Sequence, residues 1–172
     1  MKKHYKILSA CILMFMLTSC GPTTDEAIKY NDSIIDVQAQ IVEKINTLYE
    51  CFDDWDHPEK MDEAYKQALA QVDSGTEIVS KMPDFGGKSE FREASLKLFS
   101  VYKSVIQTEL KTMVEILKKP SAEITPEIEA QFDAMNDQAL KKMENGLKEF
   151  QEVQLNFSVK YNFVLNKSTD TN

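Results

Sequence analysis

The side chains best suited to chemistry are sparse in this chain and gather in one short stretch. Cys51, Asp53, Asp54, Trp55, Asp56 and His57 lie within seven consecutive residues. Cys51 and His57 would make a nucleophile pair only if a third group oriented the imidazole, and none is identifiable. Cys51 also falls at helical spacing beside Leu48 and Phe52, which reads as a small buried residue. Asp53-Asp54-x-Asp56 offers carboxylate oxygens of the kind calcium accepts, yet it lacks the glycine and the bidentate glutamate of a calcium loop. A helix end followed by a helix cap accounts for Asp56 without an ion. The paired Glu-x-x-His segments that hold two irons inside a helical bundle are missing. So are Gly-x-Ser-x-Gly and a phosphate-cradling glycine loop. These observations nominate no catalytic residue, no metal site and no cofactor. Trp55 stands apart: in a polar turn with little core to enter, it suits a contact anchor.

The N-terminus carries a different kind of signal. Lys2, Lys3 and Lys6 precede an apolar run from Ile7 to Leu17, the arrangement of a secretory leader. That run is too short to cross a bilayer as a helix, which takes roughly 20 residues. It ends in Leu17-Thr18-Ser19-Cys20-Gly21. The order of an apolar residue, two small residues and a cysteine resembles the lipobox of bacterial lipoproteins. The resemblance covers this segment alone. It implies a diacylglyceryl group on the Cys20 thiol and cleavage between Ser19 and Cys20, so that residues 1–19 are the signal peptide. It also implies acylation of the new amine and, since Gly21 rather than Asp follows the cysteine, the outer membrane of the cell envelope. Two or three acyl chains, at about 0.8 kcal/mol per buried CH₂, hold far more durably than one.

Loss of Lys2, Lys3 and Lys6 with the signal takes 20 basic residues to 17 against 28 acidic ones, a formal charge of −11. Such a surface is unsuited to nucleic acid, where basic side chains must replace counterions. It is equally unsuited to lying flat on anionic headgroups, so the body is expected to stand off the membrane on its lipid. With Cys11 removed and Cys20 lipidated, Cys51 is the one remaining cysteine. No disulfide within one molecule is then available, and a packed core must supply the stability.

The elements that position these residues are helical. After a tether over 20–24, Thr23-x-x-Glu26 has the form of a capping box. Ile28, Ile34, Ile35, Ile41, Val42, Ile45, Leu48, Tyr49 and Phe52 then make one stripe, predicting a helix from about Asp25 to Asp53. Asp56 as cap with Pro58 in the first turn restarts a second helix, carrying Met61, Tyr65, Ala68, Leu69, Val72, Val79 and Met82, with Gly75 weakening it by about 1 kcal/mol. Pro83 to Gly87 is a loop. Ser89 is the expected cap of a third helix, whose stripe includes Phe91, Leu98, Phe99, Tyr102, Val105, Ile106, Leu110, Met113 and Ile116 and which Lys118 and Lys119 close. Thr125-Pro126 opens the fourth, through Phe132, Met135, Ala139, Met143, Leu147, Phe150 and Phe157. Residues 155–166 fit a strand alternation as well as a helical one; with no second strand to pair, helix is the expectation.

Four helices with short connections bury their stripes as an antiparallel up-down-up-down bundle over 25–167, followed by a tail over 168–172. The first helix begins at the lipid, so the turn holding Asp53, Asp54, Trp55, Asp56 and His57 points away from the membrane. A lipid-anchored, non-enzymatic module that meets an envelope protein through this distal end is the leading expectation. The alternative is a small-molecule or metal carrier with a site between helices, marked by Asn31, Gln38 and the methionines.

Overall fold

The computed structural model describes residues 21–52 and 57–165. Helix α1 spans Thr24–Glu50, and Thr23 forms the expected capping box: its hydroxyl accepts from the Glu26 amide at 3.2 Å while Glu26 Oε2 accepts from the Thr23 amide at 2.8 Å. Two bonds to its Oε2, from the Thr23 backbone amide first and the Thr23 hydroxyl at 2.9 Å second, hold the Glu26 carboxyl below its usual range. Helix α2 spans Pro58–Ser80, with Pro58 in the first turn. The residue at its cap position is His57 rather than Asp56, and the His57 side chain makes no capping bond. His57 Nδ1 instead lies 3.3 Å from Glu59 Oε1.

The third rod runs from Glu90 to Leu117 in three parts: α3 (Glu90–Val105), a π turn (Ile106–Leu110) and α4 (Lys111–Leu117). Ser89 occupies the cap position but makes no capping bond, a correction to its expected role. The π turn was not foreseen. Hydroxyls of Thr108 and Thr112 reach back to the carbonyls of Ser104 and Thr108, at 2.7 and 2.9 Å. Side chains that compete for backbone acceptors in this way bend and loosen helices, and the Lys111 amide accordingly bonds to Ile106 O, five residues back.

After a 3₁₀ turn at Ser121–Glu123, helix α5 spans Pro126–Lys160. Of the ambiguous segment, residues 155–160 are therefore helix and 161–165 are turn and irregular chain, while 166 lies outside the described residues. The end of α5 has a physical cause: Asn162 adopts φ 57°, Phe163 N donates to Ser158 O at 3.0 Å, and Asn162 N donates to Val159 O at 3.2 Å. Those two bonds form a Schellman motif, and its usual hydrophobic contact is present as Phe163 against Phe157, ring centroids 6.0 Å apart.

Named contacts fix the antiparallel order. Gln71 bonds to Gln40 and Tyr30 Oη donates to Pro83 O, so α1 and α2 run in opposite senses. Lys118–Asp62 and Lys103–Asp73 do the same for α2 and the third rod. Lys97–Glu149 and Lys142–Glu109 do so for the third rod and α5, and Thr24–Tyr161 with Asn31–Gln154 close the ring between α5 and α1. Ile34, Ile41, Leu48, Met61, Val72, Leu98, Phe99, Ile106, Leu110 and Met113 are fully buried at the centre. Gly75 is a point of close approach between α1 and α2: a methyl there would stand 2.8 Å from Val37 Cγ1 and 2.9 Å from Ile41 Cδ1. Its helical weakness is thus tied to close packing. No helix among the described residues is long and apolar enough to cross a membrane.

Candidate functional site

Two ends follow from this order. The end at which α1 starts also holds the 81–89 connection and residues 161–165. The opposite, distal end holds the end of α1, the start of α2 and the connection from α4 to α5. At 1.5 Å per residue, α1 separates them by about 40 Å.

Of the distal contact residues expected from sequence, His57 is described and is exposed. Asp53, Asp54, Trp55 and Asp56 lie outside the described residues, as do Ser19 and Cys20. Around that end, Phe52 packs edge-on against Tyr49 and Phe132, at 5.4 and 6.1 Å between centroids. Cys51 is half-buried against the core rather than sealed within it. Phe132 also lines a groove of about 580 Å³ between α4, the connection and the first turns of α5. Ile116, Leu117 and Ile124 give it apolar walls, and Lys119, Glu129 and Asp133 stand around it. A surface with an apolar floor and charges of both signs at the edge suits a protein side chain better than a small polar metabolite. Pro126 and Thr125 set the start of α5 there, and the Thr125 side chain holds the Glu127 carboxyl low.

A second groove, about 450 Å³, lies midway along the bundle between α1, α3 and α5. Val42, Ile45, Leu140, Met143 and Leu147 form most of it, with Asn46, Tyr49, Tyr102 and Glu144. Asn31 and Gln38, the amides nominated for such a place, do not line it. Asn31 is buried and accepts from Gln154 Nε2 at 2.9 Å; Gln38 donates to the Tyr102 hydroxyl at 3.4 Å. Both are partnered amides that join α1 to its neighbours. Of the methionines, Met61 and Met113 are core filling, whereas Met143 faces the groove.

Sequence reasoning passed over the most unusual polar residue. Glu109, in the π turn, is buried at 4% exposure in a stretch that also buries Val105, Ile106, Leu110 and Met113. Lys142 Nζ donates to its Oε1 at 2.5 Å, and the Thr108 hydroxyl lies 2.5 Å from its Oε2. Burial pushes the Glu109 carboxyl up, but the bonds from Lys142, Thr108 and its own backbone outweigh that and leave it below the usual range. Nearby, the Tyr49 hydroxyl is buried with no hydrogen-bond partner, and burial first, then the Glu109 charge, raises its phenol. The available signal was a carboxylate sitting on the apolar stripe of the third rod. Geometrically this is a satisfied ion pair with an orphan phenol beside it. Among the described residues no hydrogen-bonded nucleophile and no second carboxylate is seen to accompany it. Among the described residues no three His, Cys, Asp or Glu side chains converge to hold a metal.

Compared with models of protein families, with curated proteins and with solved structures, the chain finds no match.

Proposed function

We propose that this chain is a lipid-anchored, non-enzymatic helical module of the cell envelope, which uses its distal end to engage an envelope protein. The observation that carries this reading is positional. The lipobox-like Cys20 stands three residues before the cap of α1, and α1 is a continuous helix about 40 Å long whose far end leads in sequence through Phe52 into the Asp53–His57 stretch, with Phe52 against Phe132 of the groove. One end is therefore suited to attachment and the other to contact. The described aromatics Phe52 and Phe132, with an apolar groove that has mixed charge at its edge, have the composition of a protein-binding patch.

The experiment is crosslinking of the lipidated protein in intact cells, followed by capture and identification of what comes with it. Trp55→Ala and Phe132→Ala should each lower recovery of the specific partner, while Lys148→Ala, far along α5, should not. Equal recovery with all three variants would exclude the distal end as the contact.

The midway groove favours a second reading, carriage of an apolar small molecule. Its walls are aliphatic, and Tyr49 brings an unsatisfied hydroxyl to the same region. Organic extraction of protein purified from its native host distinguishes the two: a stoichiometric apolar compound supports carriage, and a clean extract supports the contact module.

A further inference from the structure

We propose that the anchor-side end of the bundle is seated in the phospholipid headgroup layer, with Val159, Val164 and Lys160 in contact with lipid. The proposal rests on lipidation of Cys20 as read above.

The argument begins with the tether, which has almost no slack. Thr23 is fixed by its capping box. The Thr24 hydroxyl donates to Tyr161 O at 2.9 Å, joining the start of α1 to the end of α5. Pro22 lies over the 81–89 connection, for a methyl on Gly86 would be 3.4 Å from Pro22 Cγ. Only Gly21 separates this packed proline from Cys20. Two residues of fully extended chain span about 7 Å. The polar layer of one leaflet, half the difference between a bilayer of 40–45 Å and its core of 30 Å, is about 5–8 Å thick. A lipid rooted at the acyl boundary therefore draws the end of the bundle into the headgroups. The longer, flexible stalk that would let the whole body stand clear is absent from this segment.

The surface presented there is suited to that layer. Val164 is 90% exposed and Val159 71%, two of the most exposed large apolar side chains among the described residues. Leu155, one turn earlier on the same side of α5, is 55% exposed. Lys160 lies between the two valines, 4.9 Å over the Tyr161 ring, with a stem long enough to reach phosphate oxygens. Behind these residues Tyr30, Phe85, Phe157 and Tyr161 form a packed aromatic block, so the seat is stiff. The contact is end-on. It leaves the acidic flanks of the bundle in water, which agrees with the charge argument against lying flat.

The test uses the full lipidated chain floated with phosphatidylcholine vesicles whose acyl chains are brominated close to the headgroup, so that contact quenches tryptophan. Trp55→Phe removes the native tryptophan. Val164→Trp then reports on the seat, and Leu140→Trp, 20 residues before Lys160 in α5 and so about 30 Å farther out, reports on the flank. The expected result is loss of more than half the emission of Val164→Trp and none of Leu140→Trp. Insertion of ten Gly/Ser residues between Gly21 and Pro22 should restore the emission while flotation persists. Protein that floats without quenching would overturn the seat and leave the anchor intact. Equal quenching of both reporters would overturn it too, and quenching that survives the insertion would overturn the short tether as its cause. Protein that fails to float would remove the anchor reading, and the seat with it.

Discussion

Glu109 and Lys142 offer the sharpest test of how this bundle is held together. Lys142→Met keeps most of the aliphatic stem and removes the charge that faces a carboxylate of 6% side-chain exposure. Removing one partner of a fully buried ion pair costs about 3–5 kcal/mol, because the other charge is left uncompensated. Two features of this site reduce that figure. The Lys142 side chain is 48% exposed, so water shares its role, and Thr108 still reaches the carboxylate. A cost of about 2 kcal/mol is the consequence, equivalent to roughly 4–8 °C in Tm for a domain of this size. The double variant Glu109→Met/Lys142→Met should recover most of it, because no charge is then buried. The assay is urea unfolding followed by circular dichroism at neutral and acidic pH. The sign of the pH effect is fixed by the lowered Glu109 carboxyl. Its contribution is complete above the ordinary value of 4.5 and is lost as pH falls toward the lower value in the folded state. Glu109→Gln should lack that part of the acid sensitivity. Should Lys142→Met match the parent protein in midpoint, or fall no lower than the double variant, the ion pair is not what compensates the buried Glu109 charge.

Gly86 and Gly87 form a further pair. Both have positive φ, at 60° and 71°, but a methyl on Gly86 would stand 2.5 Å from the Tyr161 hydroxyl, while one on Gly87 meets nothing. Gly87→Ala should cost about 1 kcal/mol from its left-handed backbone, and Gly86→Ala roughly 1–3 kcal/mol more, from overpacking against Tyr161; equal midpoints in urea would contradict the contact. Tyr49→Phe removes a buried hydroxyl that has no partner, so stability should hold or rise by up to about 1 kcal/mol; a clear loss in thermal unfolding would mean the hydroxyl is satisfied. Cys20→Ser should abolish incorporation of labelled palmitate and leave an unprocessed chain of higher mass, both read on one gel.

The helices were legible because their stripes are long and their punctuation is strong. Thr23 with Glu26, Pro58 and Thr125-Pro126 each mark a start that the structure keeps. The less visible parts depend on distance between helices, which periodicity does not report. Gly75 reads as a defect in a single helix, yet between two helices it permits contact. Gly146 does the same against Leu98 and Val101, where an added methyl would stand within 3.4 Å. Glu109 was passed over because a stripe is read from its apolar members, and its partner Lys142 is 33 residues away on another helix. The amides Asn31 and Gln38 were located on the right face, but whether they bond across the bundle or line a groove depended on Gln154 and Tyr102, residues that no local pattern connects to them. Of the distal stretch, sequence identifies the residue types, and the structure supplies the Phe132 groove against which the preceding residue, Phe52, packs.

The hydrogen bond from Thr24 to Tyr161 sets the two termini of the folded body side by side. The sequence therefore describes a nearly closed loop, and where it is cut matters little to the packing. A permuted gene that links Leu165 to Gly21 through a few glycines and opens between Ala122 and Glu123, within the 3₁₀ turn, would keep every α-helix and move both free ends some 40 Å to the opposite pole. With a cysteine-bearing leader at the new start, such a protein would hang inverted and present the aromatic block outward.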